Sequence, residues 1–88
     1  MTDDEILEAL RAERYRLTPV ELAELLEKLL GKRLTDAYMV TYFFRAFRGM
    51  PLKPLRDAEQ WHRITWGKMT DEEFNALLSP WLGPTALR

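Results

Sequence analysis

Residues 17–49 read LTPVELAELLEKLLGKRLTDAYMVTYFFRAFRG, and they contain two segments with the apolar periodicity of an α-helix. A threonine precedes each segment and a glycine follows it: Thr18 and Gly31 for the first, Thr35 and Gly49 for the second. A threonine hydroxyl can accept a backbone N–H that is free at a helix start, and glycine readily adopts the left-handed conformation that closes a helix. The stretch therefore predicts helices at about 19–30 and 36–48.

The same start and stop residues recur along the rest of the chain. Threonine stands three residues before glutamate at three predicted starts, the pattern of a capping box: Thr2 and Glu5, Thr18 and Glu21, Thr70 and Glu73. Gly67 is expected to close a fourth helix that Pro54 opens, and Pro80 is expected to end a fifth. No segment alternates with the period of a β-strand. The sequence thus predicts an all-α, compact five-helix domain without a sheet, with helices at about 3–16, 19–30, 36–48, 54–66 and 71–78.

The length and composition set the expected class of protein. Eighty-eight residues suit one domain, which we assign to residues 1–83, with 84–88 as a flexible C-terminal tail. The chain has no cysteine, so it lacks disulfides, a thiolate nucleophile and a zinc-finger pattern. The N-terminus is acidic, unlike a secretory signal, and no apolar run approaches the roughly 20 residues of a membrane span. We expect a soluble, cytoplasmic protein with no membrane partner.

The apolar side chains indicate how the helices pack. The third predicted helix is apolar around about half of its circumference: Ala37, Met39, Val40, Phe43, Phe44, Ala46 and Phe47. So wide a face predicts contact with more than one neighbour and a central position in the fold. The three tryptophans are expected in the core or at its rim. Trp66 falls on the better apolar stripe of the fourth helix, with Trp61 towards its edge.

Charge is distributed unevenly along the chain. Residues 31–68 hold eight basic against three acidic side chains, a net charge of +5, and seven of the ten aromatic residues. Residues 1–30 and 69–88 carry net charges of −4 and −2. The total of −1 therefore conceals a basic, aromatic middle between two acidic ends, and this asymmetry points to a binding surface.

The polar face of the third helix is the candidate functional surface. Its side chains recur at helical spacing, and two cations of the following segment extend it: Tyr38, Thr41, Tyr42, Arg45, Arg48, Lys53 and Arg56. Tyrosine and arginine are enriched at protein interfaces, and both also contact nucleic acid. A purely structural alternative places the phenol rings under another helix and pairs the arginines with the acidic face of helix 19–30.

The segment after the third helix has a second interpretation. Residues 48–56, RGMPLKPLR, contain Pro-x-x-Pro with a cation at each end. Such segments favour polyproline II and can dock into aromatic grooves. The alternative is a link between two helices, which Pro51 stiffens and in which Pro54 opens the fourth helix.

Catalytic and metal sites lack their usual residue patterns. His62 is the only histidine, and neither Asp57 nor Glu59 stands at the helical spacing of a shared metal site. The only serine, Ser79, is typical of a helix end before Pro80 and not of a nucleophile. We expect no enzyme, no cofactor and no metal. A small enzyme around His62 is the remaining alternative, and it requires a concave pocket at that side chain.

The sequence therefore favours a small, non-catalytic protein–protein interaction or regulatory module that uses the basic, aromatic middle of the chain. The partner is another protein, which includes a second copy in a homodimer. In that case the acidic face of helix 19–30 in one copy meets the basic face of the other. The alternative is binding of nucleic acid through helix 36–48. It is disfavoured by the net charge of −1 and by the acidic outer face of helix 19–30, which repels phosphate.

Overall fold

The structure is a computed structural model that describes residues 1–87. The described residues form five α-helices and two short 3₁₀-helices and contain no β-strand, which confirms the all-α single domain. The α-helices are α1 (Asp3–Ala12), α2 (Pro19–Leu30), α3 (Asp36–Ala46), α4 (Leu52–Asp57) and α5 (Asp71–Leu78), and the 3₁₀-helices are Ala58–Gln60 and Pro84–Leu87. The latter lies within the predicted tail, whose last residue, Arg88, is outside the described residues; the boundary at 83 stays a prediction.

The predicted capping chemistry is present at the helix starts. At α2 the Thr18 hydroxyl accepts the backbone N–H of Glu21 at 3.2 Å, and the Glu21 carboxylate accepts the Thr18 N–H at 3.0 Å. The same reciprocal pair begins α1 and α5, and Thr35 caps α3. Gly31 closes α2 with φ at +71°. Because each cap joins groups within one turn, local sequence is sufficient to specify it.

The first helix is shorter than predicted, since α1 ends at Ala12 and not at 16. Arg14 gives the reason. Its Nε donates to the carbonyl of Trp81 at 3.1 Å, and its own carbonyl accepts the N–H of Gly83 at 2.8 Å. These bonds connect the segment after α1 to the C-terminal part of the chain. If α1 continued, the Arg14 carbonyl would bond within the helix and would lose its contact with Gly83.

The third helix ends at Ala46, two residues before the predicted end. Its last carbonyls face the guanidinium of Arg11, which donates to Arg45 O at 3.1 Å and to Ala46 O at 2.9 Å. A cation at this position satisfies free acceptors and complements the negative end of the helix dipole. Phe47 then leaves the helix in an extended conformation and stays fully buried.

The fourth helix differs most from the prediction of 54–66. It begins at Leu52, so Pro54 is its third residue, within the first turn where proline is tolerated because the N–H has no helical partner. It ends at Asp57, and after the 3₁₀ turn the chain turns away at Trp61, whose backbone is extended. Residues 61–66 are not helical, and β-branched and aromatic side chains there favour the helix weakly.

Two predicted stop signals work differently from expectation. Gly67 does not have the left-handed conformation, which occurs at the other three glycines. Glycine is required at position 67 because a Cβ there would clash with the backbone of Gln60. Pro80 does follow the end of α5 at Leu78, but Ser79 keeps helical dihedral angles (φ −59°, ψ −27°) and continues into a turn.

The helices pack as a closed ring around one core. α1 packs against α2 and α3, these two pack against α5 and α4 respectively, and α4 meets α5. The domain is flat, with extents of 33 × 32 × 19 Å. The predicted contact of α3 with two neighbours is confirmed, but α3 is a member of the ring and not its centre. The predicted core position of Phe44 is wrong: its side chain is 48% exposed on the outer face of α3.

Candidate functional site

The predicted surface on α3 is divided by the first turn of α1. Tyr42 is half-buried, and its hydroxyl donates to Asp3 Oδ1 at 2.7 Å. This hydrogen bond raises the pKa of Tyr42 above its usual value, because the phenol must stay protonated to donate. Arg45 Nη1 lies 3.8 Å from Asp3 Oδ2. The acid that contacts this side of α3 is therefore Asp3 of α1. The structural alternative had predicted the acidic face of α2 instead.

The rest of the predicted surface is more open. Tyr38 is half-buried, and Lys32 Nζ lies 4.6 Å from the centre of its ring. Thr41 is exposed, and the exposed Phe44 lies three residues later on the same face of α3. Arg48 is also exposed, in the turn that follows the end of α3. The structure thus leaves an outer edge of α3 that is available to a partner, while Tyr42 and Arg45 are turned towards α1.

Arg48 also borders a basic cleft of about 390 Å³ between the ends of α1 and α3. Two further arginines line this cleft, Arg11 and Arg14, and both donate to backbone carbonyls, Arg14 Nη1 to that of Arg48 at 3.2 Å. Because these guanidinium groups already hold the end of α3, we attribute them to the fold. The sequence contained no local signal for this role, since it joins residues more than 30 positions apart.

The two cations of the following segment are exposed on or beside α4. Lys53 Nζ pairs with Asp57 at 3.0 Å, and Arg56 Nε with Glu59 at 3.6 Å. Exposed pairs of this kind contribute about 0–1 kcal/mol, so both cations stay accessible. The polyproline II interpretation is wrong beyond Pro51, because the residues that follow it are helical.

Residues 61–69 form a loop that we call the tryptophan loop. Its first six residues, 61–66, had been predicted as the end of the fourth helix. Two backbone hydrogen bonds close its base: Met69 N to Gln60 O at 3.0 Å, and His62 N to Met69 O at 2.9 Å. Inside it, the Thr65 hydroxyl donates to the carbonyl of Glu59 at 2.6 Å and accepts the N–H of Gly67 at 3.1 Å. These bonds give the loop a defined conformation.

Trp61 anchors the tryptophan loop in the core. It is 2% exposed, and its ring stacks on Phe74 with centroids 4.0 Å apart. Its indole N–H donates to Asp71 Oδ1 at 2.8 Å. His62 Nε2 lies 3.1 Å from the same oxygen, and Arg63 Nη1 lies 3.6 Å from Oδ2. The hydrogen bond from Trp61, followed by that from His62 and the charge of Arg63, lowers the pKa of Asp71.

Trp66 lies at the tip of the tryptophan loop and is fully exposed, with a relative accessibility of 102%. The prediction that Trp66 belongs to the core is wrong. It was based on a helical stripe, and residues 61–66 do not form a helix. The sequence did contain a signal: Trp61 and Trp66 are five residues apart and do not share one helical face, and Ile64 and Thr65 between them are β-branched. Both observations weaken the prediction of a helix that buries the two tryptophans together.

Trp66 borders a groove that we call the Trp66 groove, made of two adjoining clefts. Both clefts are lined by Arg33, His62 and Ile64. The outer cleft, about 400 Å³, adds Thr65 and Trp66. The inner cleft, about 360 Å³, adds residues that include two acids and an arginine: Glu24, Glu27 and Arg63. Sequence reasoning missed this groove because its lining comes from α2, the link after it and the tryptophan loop.

The charges of the Trp66 groove differ between its two ends. Glu24 accepts from Arg63 Nη2 at 3.1 Å, and Glu27 accepts the backbone N–H of Leu34 at 2.9 Å, so both acids of the inner cleft have partners. Within residues 1–87, the Arg33 guanidinium forms no hydrogen bond or ion pair. The outer cleft thus combines an available cation with an exposed indole.

His62 borders the Trp66 groove, as the enzyme alternative requires, and faces a carboxylate. Thr65, which lines the outer cleft with His62, donates its hydroxyl to the carbonyl of Glu59. Ser79 lines a different cleft and donates to the carbonyl of Ala76. Among residues 1–87 no group of three metal-ligating side chains is arranged to hold an ion. None of the helices in this part of the chain has the length and apolar character to cross a membrane.

Comparison of the chain with protein-family models, with curated proteins and with solved structures finds no match.

Proposed function

We propose that this protein is a small, non-catalytic interaction module that binds another protein through the basic, aromatic middle of its chain, with Trp66 as the principal contact. The observation that supports this most is the complete exposure of Trp66 on a loop closed by backbone hydrogen bonds. Tryptophan is the residue type most enriched among the energetically important contacts of protein interfaces. Exposure of so large an apolar side chain to water is unfavourable, and a partner that covers it removes this apolar surface from water.

The conformation of the tryptophan loop supports binding without a large ordering cost. Trp61 is fixed in the core five residues before Trp66, and Thr65 and Gly67 are hydrogen-bonded on either side of it. A partner therefore has to immobilise little more than the Trp66 side chain itself. Pre-organisation of this kind increases affinity, because less conformational entropy is lost on association.

The predicted surface on α3 and α4 forms a second part of this proposal. Its accessible members are Thr41 on α3, Arg48 in the turn after α3, and the cations Lys53 and Arg56 on α4, with Phe44 as an apolar addition. Tyr38, Tyr42 and Arg45 contribute mainly through their exposed edges, since they also contact Lys32 or Asp3. This part is the weaker one, because its basic groups are partly neutralised within the domain.

The nucleic-acid alternative has less support than protein binding. Helix 36–48 would have to present Tyr42 and Arg45 to phosphate, and both lie against the carboxylate of Asp3. An acid at this position repels a polyanion, and affinity for nucleic acid depends on several unopposed cations.

A comparison of three immobilised forms tests the proposal. Wild type, Trp66→Ala and Tyr15→Ala are used to capture proteins from a lysate of the source cell, and the captured proteins are quantified by mass spectrometry. Tyr15 is the matched control because it is also aromatic and exposed but follows α1, outside residues 31–68. We expect a set of proteins retained by wild type and Tyr15→Ala and lost from Trp66→Ala. Equal capture by all three would refute the role of Trp66.

A further inference from the structure

The Trp66 groove has the chemistry to select its partner. We propose that it binds a short acidic segment of another protein in an extended conformation. An apolar side chain of that segment lies on the indole of Trp66, and a neighbouring carboxylate is bound by Arg33, while His62 keeps its contact with Asp71. This inference rests on the proposed function and specifies the class of partner.

The charge of the groove favours an acidic ligand. Arg33 has no ionic partner within residues 1–87, and it lines both clefts, so it lies at the middle of the groove. The described lining of the outer cleft contains Arg33 and His62 and no carboxylate. Lys68, two residues after Trp66, adds a further exposed cation to the loop. A guanidinium group binds a carboxylate in a planar, two-bond arrangement, which makes an acidic side chain its natural ligand.

The groove also combines concave and apolar surface. Its two clefts adjoin, because they share three lining residues, and together they can hold more than one residue of a partner chain. Trp66, with Ile64 beside it, provides apolar surface in the outer cleft. An apolar residue adjacent to an acidic one in the partner would meet Trp66 and Arg33 together.

The acids of the inner cleft favour a short acidic ligand over a long polyanion. Glu24 and Glu27 are already bound, to Arg63 and to the backbone of Leu34. They therefore do not compete for Arg33, but their charges oppose a long polyanion that would run through the whole groove. The arrangement favours one or two carboxylates at the outer end over the continuous phosphates of a nucleic acid.

Selection from a random peptide library tests the partner class directly. The immobilised wild-type domain is challenged with a library of nine-residue peptides displayed on phage, and binders to Trp66→Ala are subtracted. We expect enriched sequences with Asp or Glu next to a large apolar residue. Enrichment of basic or uncharged sequences would overturn the proposal. Failure to enrich any sequence, where lysate capture still depends on Trp66, would overturn the acidic-segment inference and leave the proposed function in place.

Variants then locate the contact with one enriched peptide. Arg33→Gln and Trp66→Ala are each expected to weaken binding about tenfold or more, a typical loss for a charge-assisted or aromatic contact. Lys28→Gln removes the same charge from an exposed position outside the groove and should change affinity less than twofold. Equal effects of Arg33→Gln and Lys28→Gln would show a non-specific charge effect and refute the contact. Circular dichroism confirms that each variant is folded.

Two competing probes separate the other classes of ligand. A single-stranded oligothymidylate and vesicles containing phosphatidylserine are tested at the same ionic strength as the peptide. The proposal expects both to bind at least tenfold more weakly than the peptide. Tighter binding of either, lost in Trp66→Ala, would replace the acidic segment by nucleic acid or by an anionic membrane.

Discussion

Gly67→Ala is the most informative single substitution in this domain, because it tests the closure of the tryptophan loop. A Cβ on Gly67 would lie 2.0 Å from the carbonyl oxygen of Gln60 and 2.6 Å from its carbonyl carbon. Observed Cβ contacts are essentially never below 3.0 Å, so the two backbone segments would have to separate by about 1 Å. The obstacle is backbone, which cannot rotate away as a side chain could.

The expected loss of stability follows from the bonds that this separation breaks. The oxygen that the new Cβ meets is the acceptor for Met69 N–H at 3.0 Å, and the second bond of the bridge joins His62 N to Met69 O at 2.9 Å. If the loop opens, loss of the two backbone hydrogen bonds costs about 1 kcal/mol each. If it stays closed, strain from overpacking costs about 1–3 kcal/mol instead. We therefore expect the free energy of unfolding to fall by about 1–3 kcal/mol.

The control is Gly49→Ala, which separates a steric requirement from a conformational one. Gly49 has φ at +83° and no atom within 4 Å of an added Cβ. Alanine there should cost only the left-handed penalty of about 1–2 kcal/mol. Unfolding in urea gives both free energies, and amide hydrogen exchange at Met69 and His62 reports on the bridge itself.

The result that would refute this reasoning is specific. If Gly67→Ala were less destabilising than Gly49→Ala and the Met69 amide kept its protection from exchange, Gly67 would not be in close contact with Gln60. A loss of Met69 protection with unchanged global stability would instead place the cost in a local opening of the tryptophan loop.

Three further outcomes are expected. Trp61→Ala should lower the free energy of unfolding by about 3–5 kcal/mol, a typical cost for a buried aromatic side chain, whereas Trp66→Ala should change it by less than about 0.5 kcal/mol; urea unfolding would contradict this if the two losses were similar. The raised pKa of Tyr42 stabilises the fold below its ordinary value of about 10, and this stabilisation is lost as pH rises through the folded-state pKa. The difference in free energy of unfolding between wild type and Tyr42→Phe should therefore disappear at alkaline pH. A difference that stays constant with pH would exclude the hydrogen bond from Tyr42 to Asp3. The lowered pKa of Asp71 contributes stability above its ordinary value of about 3.9 that disappears as pH falls through the folded-state pKa; Asp71→Asn should flatten this acid dependence, and an unchanged profile would contradict it.

The sequence predicted less of the candidate site than of the fold. Tyr38, Thr41 and Arg48 were recognised as surface residues from helical spacing alone, and they are at least partly exposed. Trp66 was not, because its exposure depends on where the fourth helix ends. Arg33 could not be connected with Trp66 by any spacing, since 33 positions separate them in the chain.

The sequence by itself determined the helical class and the helix starts that capping boxes specify. α2 and α5 begin and end where the pattern predicted, and their starts are specified locally because the capping groups lie within one turn of the helix. Tertiary structure decided where α1, α3 and α4 end. Arg14 and Arg11 bind carbonyls contributed by distant parts of the chain, and the stacking of Trp61 on Phe74 turns the chain out of its helix. That last contact also decides which tryptophan is buried, so the binding surface depends on interactions between segments that local periodicity does not encode.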